Sequence, residues 1–153
     1  MFEVTFDDAK HAYTVDGKAV PSVTQLVAPL GADYDEPEDD MLALTVEAAA
    51  DRGTTMHAYL AHRLTGGAPE EFELPDAYGP YACAVELFLA EHRIDPYLIE
   101  QPLGTEGFAG TPDLVADFDG TLAILDYKFV SQIAKSKVSA QLGGYFTLCG
   151  DNA

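Results

Sequence analysis

Asp119-Gly120 stands between two alternating apolar runs, with Leu114, Ala116 and Phe118 before it and Leu122 and Ile124 after it, and no other feature constrains the chain so tightly. A type I′ turn needs positive φ at both central residues, which Asp-Gly tolerates, so the stretch predicts a β-hairpin with a two-residue loop. Such a loop fixes the register. Phe118 faces Thr121, Asp117 faces Leu122, and the same pairing carried outward sets Asp113 opposite Asp126.

Directly opposed side chains have Cβ atoms about 4.5–5.5 Å apart, and two carboxylates at that separation destabilise the ladder unless something neutral or cationic intervenes. Lys128 follows Asp126 by two residues and shares its face, while Tyr127 points the other way. An oxygen-rich pair beside an ammonium suits Mg²⁺ or Mn²⁺, which take carboxylates, carbonyls, waters and a substrate phosphate. The chemistry this favours is phosphoester hydrolysis, with Lys128 positioning the water or screening developing charge. The same spacing also describes a surface hairpin with two solvated aspartates.

Beyond the hairpin, Gly110-Thr-Pro-Asp-Leu-Val115, then Asp126-Tyr127-Lys128, then Gln141-Leu-Gly-Gly-Tyr145 follow one another in order. Together they resemble the motif set of the PD-(D/E)xK nuclease superfamily, in the branch containing RecB-type nuclease domains, CRISPR-associated exonucleases and phage exonucleases. The segment from Tyr13 to Leu26 is similar to the opening of phage-encoded members, and Arg52-Gly-Thr-Thr-Met-His57 resembles the helix that supplies a metal-binding histidine. The resemblance covers nearly the whole chain. It implies that His57, Asp113, Asp126 and the backbone carbonyl of Tyr127 bind metal, that Lys128 is the catalytic lysine, and that Gln141 and Tyr145 orient DNA or the site. It further implies an α+β fold with a restriction-endonuclease-like core: a central mixed β-sheet flanked by helices, after an N-terminal β-meander, in one domain over residues 1–153. The activity implied is a Mg²⁺- or Mn²⁺-dependent DNA exonuclease of phage or prophage origin.

In the family a further strand follows the Gln-Tyr helix and packs beside the hairpin. Only seven residues, 147–153, follow here, so the sheet is expected to end early. The open edge implies a homo-oligomer, a partner protein, or a chain truncated at its C-terminus, with the N-terminal meander covering that edge only in part.

Charge is the main objection to a nucleic-acid partner. The chain carries a formal net charge of −18 with only eight Lys and Arg, whereas affinity for phosphates normally comes from basic side chains releasing counterions. Yet Lys128, Lys135 and Lys137 fall within ten positions beside the candidate site. Two other readings therefore stand beside the nuclease: a binding module of the same fold acting as adaptor or inhibitor, and a hydrolase of small phosphoesters.

The remaining pattern is ordinary. Residues 2–6, 12–15 and 18–20 read as the meander, with a turn at Asp16-Gly17. Ser22 and Gln25 have capping-box spacing at a helix start. The acidic run 33–40 reads as a solvated loop. Residues 41–66 are helical in period, with Gly53 expected to divide them and Thr54 or Thr55 to cap the second part. Residues 75–94 give a second long helix, with Cys83 in its apolar pattern as a core residue and Glu86 either solvated or facing the site. Residues 96–102 read as the first strand of the main sheet with Glu100 aimed at the metal, and 104–110 as a flexible lead into the Asp113 strand. Ser131 or Ser136 is expected to cap the last helix, and His11 and His62 to lie on the surface. Cys83 and Cys149 lack CxxC spacing, which argues against a zinc ribbon or an iron–sulfur cluster. With no apolar run of about 18 residues and no basic segment leading into an apolar one at the N-terminus, the chain reads as cytoplasmic.

Overall fold

The computed structural model describes residues 2–31, 40–130 and 133–151. The N-terminal meander is present as β1 (Val4–Asp7), β2 (Ala12–Val15) and β3 (Lys18–Val20), antiparallel throughout. α1 (Val23–Val27) follows, and its capping box forms: Ser22 Oγ accepts from the Gln25 N–H at 3.0 Å and the Ser22 N–H donates to Gln25 Oε1 at 2.8 Å. Of the acidic run 33–40, all but Asp40 lies outside the described residues.

α2 (Asp40–Leu64) is continuous. Gly53 does not divide it, because a single helical glycine costs only about 1 kcal/mol, and Met56, Tyr59 and Leu60 on the same helix are buried. They pack with Val85 of α3 (Gly79–Glu91). Cys83, expected in that core, is exposed: it is two residues from Val85, about 200° around the helix. Among the described residues no helix is long and apolar enough to cross a membrane.

The main sheet has the order β4-β7-β8, where β4 is Ile94–Ile99, β7 Leu114–Phe118 and β8 Thr121–Leu125. Every pairing in it is antiparallel, so the expected mixed sheet is not seen among the described residues. Parallel pairing is confined there to a single bridge, Ser22 to Ala109. The β7–β8 register is the one the turn dictates, Phe118 with Thr121 through Leu114 with Leu125, and Asp119 and Gly120 take φ of 51° and 87°. Residues 103–110 are not a flexible lead. β5 (Leu103–Gly104) and β6 (Ala109–Gly110) pair as a small hairpin, with the Thr105 hydroxyl accepting from the Gly107 N–H at 3.3 Å.

The two faces of the sheet are covered differently. Phe118 stacks on Phe88 of α3 with centroids 5.9 Å apart, and Tyr127 and Phe129 join the α2–α3 cluster. Ile124 faces the other way, onto Val23, Val27, Tyr145 and Leu148 of α1 and α4 (Lys135–Asp151). Ser136 lies inside α4 rather than ahead of it as a cap, and Ser131 falls outside the described residues. The meander does not cover the edge of the sheet: it packs through Tyr13 and Val15 onto Ala109 of β6. Among the described residues no strand pairs with the outer edge of β8.

Two adjacent glycines in α4 are expected to respond in opposite ways to alanine. A Cβ on Gly144 would stand 2.8 Å from Val23 Cγ1, whereas one on Gly143 meets nothing within 4 Å. Gly144→Ala should cost about 1–3 kcal/mol through overpacking, and Gly143→Ala should add about 0.5–1 kcal/mol through reduced backbone entropy in the unfolded chain. Chemical denaturation of both variants checks this; shifts of the same sign would mean that α1 and α4 are not packed as described.

Candidate metal centre

Asp113 and Asp126 are the first pair beyond the β7–β8 ladder, whose last partners are Leu114 and Leu125. The Tyr127 N–H donates to Asp113 Oδ2 at 2.7 Å, so the aspartate closes the end of the ladder where a backbone carbonyl would otherwise do so. Pro112, immediately before it, is fully buried, and Thr111 is tied to the meander by a 2.8 Å hydrogen bond between its hydroxyl and that of Tyr13. The strand bearing Asp113 is thus held from both sides.

The Asp126 side chain is 2 % exposed and has Lys128 Nζ 2.6 Å from its Oδ2. The approach lacks hydrogen-bond geometry, and that oxygen has no hydrogen-bond donor. Alternation along the chain brings Lys128 to this face, as its spacing predicts. Tyr127 points into the α2–α3 core, where burial pushes its phenol pKa up.

His57 comes from 70 residues earlier in the chain. Its Nε2 lies 3.0 Å from the Tyr127 carbonyl oxygen, and its Nδ1 lies 3.5 Å from Asp113 Oδ1 and 3.7 Å from Glu100 Oε1. The ring sits edge-on to Tyr127 and Phe129, with centroids at 6.0 and 5.8 Å. Arg52, five residues earlier on α2, donates from Nη2 to the Phe129 carbonyl at 3.0 Å with its guanidinium 5.1 Å from the Tyr81 ring centre. α2 therefore grips the segment after β8 at two points. Nothing in the spacing of the sequence marks Arg52 for this role.

Glu100 reaches the site from the end of β4 at a positive φ of 46°, a backbone conformation that costs a residue with a Cβ about 1–2 kcal/mol. Its N–H donates to the Asp113 carbonyl at 3.0 Å, which holds the strained residue beside Asp113. Glu86 does not reach the site and is not simply solvated. It takes a two-point contact from Arg63, 2.7 Å to Nε and 2.8 Å to Nη2, and accepts from the Tyr59 hydroxyl at 2.6 Å; the Arg63 hydrogen bonds hold its carboxyl below the usual range. His62, expected on the surface, is half-buried, with Nε2 2.9 Å from the Ala68 carbonyl. His11 is exposed.

Gln141 and Tyr145 share a face of α4 and touch: Gln141 Nε2 donates to the Tyr145 hydroxyl at 2.9 Å. Tyr145 is buried, and desolvation raises its pKa to about 12, so it is a neutral donor at physiological pH. The ring fits only because residue 110 is glycine; a Cβ there would stand 2.9 Å from Tyr145 Cε1. Tyr145 is at once a core residue and a wall of the cavity that Asp113 lines.

Burial pushes the Asp113 carboxyl up to about 6 against the opposing pull of His57 and the Tyr127 N–H, with the Asp126 charge adding to the rise. A raised pKa means that the fold favours the protonated form: this contribution to stability is present below the unfolded value near 3.9 and is lost as pH rises through about 6. A metal needs the ionised form. Mn²⁺ affinity is accordingly expected to increase as pH rises through about 6, with proton release on binding. Calorimetry in buffers of different ionisation heat checks this; affinity independent of pH between 5 and 7 would contradict it.

Among the described residues, no three His, Cys, Asp or Glu side chains converge closely enough to hold an ion as they stand, and the Lys128 ammonium sits against Asp126. The donor types, carboxylate, imidazole and carbonyl oxygen, nevertheless suit a divalent cation. His57 Nε2 donates to the Tyr127 carbonyl at 3.0 Å and would have to release that proton before taking an ion, while Asp126 offers a buried oxygen without a hydrogen-bond donor. Comparison of the chain with protein-family models, curated proteins and solved structures gives no match.

Proposed function

We propose that this chain is a Mg²⁺- or Mn²⁺-dependent deoxyribonuclease with a PD-(D/E)xK-like centre, acting as an exonuclease. The observation that carries the reading is the meeting, at one end of the β7–β8 hairpin, of Asp113, Asp126 and Lys128 with His57 from the distant α2. Asp113, Asp126, the His57 imidazole and the Tyr127 carbonyl would hold the ion, with Glu100 within reach of His57. When bound, it would supply charge stabilisation on the phosphate oxygens and a water acidic enough to attack at neutral pH.

The chain's own groups do the rest. Lys128 moves between two partners: the Asp126 oxygen before loading, and the attacking water or a phosphate oxygen afterwards. Gln141 donates to the oxygen of Tyr145, leaving the tyrosine proton to be donated to a phosphate oxygen. Lys128 and Lys137 line one cavity with Gln141 and offer the phosphates a local cationic wall within an acidic protein.

The Lys128–Asp126 contact also favours a second reading, a metal-free binding module in which the ammonium permanently neutralises the aspartate. One assay separates the two. Linear DNA incubated with the protein should be degraded with Mg²⁺ or Mn²⁺ and survive in EDTA; degradation that persists in EDTA, or none with either metal, contradicts the nuclease reading.

A further inference from the structure

A cavity of about 370 Å³ opens beside the proposed centre, lined by Asp113, Glu100 and Tyr145 on one side and by Phe6, Tyr13 and His11 of the meander on the other. Its volume is in the range of small-ligand sites, roughly 300–1,000 Å³. It shares Glu100 with the cavity that His57 lines and Thr24 with the cavity that Lys128 and Lys137 line. The three share these walls, and a strand laid across them would pass from the aromatic meander over Asp113 to the start of α4 as along one groove.

The two ends of that groove differ in chemistry. At the meander end, Phe6 and His11 stand edge to face, with centroids 5.3 Å apart and planes at 82°, forming a corner of two aromatic walls. Phe6 is backed by Tyr13 at 4.6 Å. Asp8 lines the same end and would repel a phosphate. At the α4 end the charged groups are Lys128 and Lys137, which attract one.

Resting on the nuclease reading above, we propose that Phe6 and His11 form a stacking site for the terminal base of a single-stranded DNA end. The scissile phosphate lies over Asp113 and Asp126, and the rest of the strand leaves past Lys137. Aromatic side chains hold unpaired bases of any sequence because every base has a π-face, and a paired base is not free to stack there. The acidic rim at Asp8 makes this end of the groove terminal, since a continuing backbone would carry a phosphate past a carboxylate. The reaction is hydrolysis at the last phosphodiester: the water oxygen bonds to phosphorus as the bond from phosphorus to the leaving sugar oxygen breaks, the water gives up a proton and the leaving oxygen takes one, and the products are a mononucleotide and a strand shorter by one.

The test uses the intact protein with Mn²⁺ and three DNAs of one sequence: linear single strand, circular single strand and blunt duplex. The linear strand should fall to mononucleotides, the circle should remain uncut, and the duplex should react about tenfold more slowly. Phe6→Leu, which keeps apolar bulk, and His11→Asn, whose side chain tolerates the positive φ at that turn, should each raise KM for the linear strand about tenfold while Mn²⁺ affinity stays at the wild-type value. An unchanged KM in both variants overturns the stacking site and leaves the nuclease reading intact, whereas circular single strand cut as fast as linear overturns the stacking site and the exonuclease assignment together and leaves only metal-dependent cleavage standing. No cleavage of any DNA, and none of bis(p-nitrophenyl) phosphate by the wild-type protein, overturns both.

Discussion

Asp126→Asn is expected to abolish metal-dependent DNA cleavage, lowering kcat/KM by about a thousandfold. The substitution keeps the shape of a side chain that is 2 % exposed but removes a formal charge from the proposed cation site. Loss of about 4 kcal/mol of charge stabilisation in the transition state corresponds to about three orders of magnitude. The fold should survive, because the ammonium that loses its counter-ion, Lys128, is 30 % exposed and can hydrate. Asp113→Asn should behave alike; the amide oxygen still accepts the Tyr127 N–H that Asp113 accepts at 2.7 Å. The check is a rate measurement beside a thermal melt. A variant within about tenfold of wild type would contradict a metal role for these carboxylates.

Lys128→Ala is expected to remove turnover by a similar factor and to do the opposite to metal binding. Without the ammonium, Asp126 is a buried carboxylate with no counter-charge, and breaking a fully buried pair costs about 3–5 kcal/mol. Here Lys128 is partly exposed, so about 2 kcal/mol is expected, seen as a lower melting temperature in EDTA. Divalent cation should restore it, since the ion then neutralises Asp126 and no longer competes with Lys128. Titration calorimetry in this variant should show Mn²⁺ affinity equal to wild type or tighter; lost binding would make Lys128 part of the ion's support rather than a group that acts on water and phosphate.

What could be read in the sequence was what local chemistry fixes. Asp119-Gly120 dictates its own turn, the turn dictates the register, and the register carries Asp113 to Asp126 without reference to the rest of the chain. The Ser22–Gln25 capping box is local in the same way. Features that depend on packing were not legible. Gly53 carries a breaking signal that the buried neighbours on α2 overrule. Cys83 sits in an apolar run but on the wrong side of its helix. The Arg63–Glu86 pair, 23 residues apart, has no signature in spacing. Strand position already directs Glu100 toward the centre, but the positive φ that sets it there is visible only in three dimensions, and the aromatic corner at Phe6 and His11 depends on where the meander docks. The all-antiparallel main sheet differs from the mixed sheet that the family resemblance implies.

A crystal soaked in Mn²⁺ and measured at the manganese absorption edge tests the account most directly, because it locates the ion without reference to activity. An anomalous peak is expected between Asp113, Asp126, the His57 imidazole and the Tyr127 carbonyl, with Lys128 Nζ drawn off the Asp126 oxygen it approaches at 2.6 Å. A map with no peak there, with Lys128 still seated on Asp126 at saturating Mn²⁺, would contradict it.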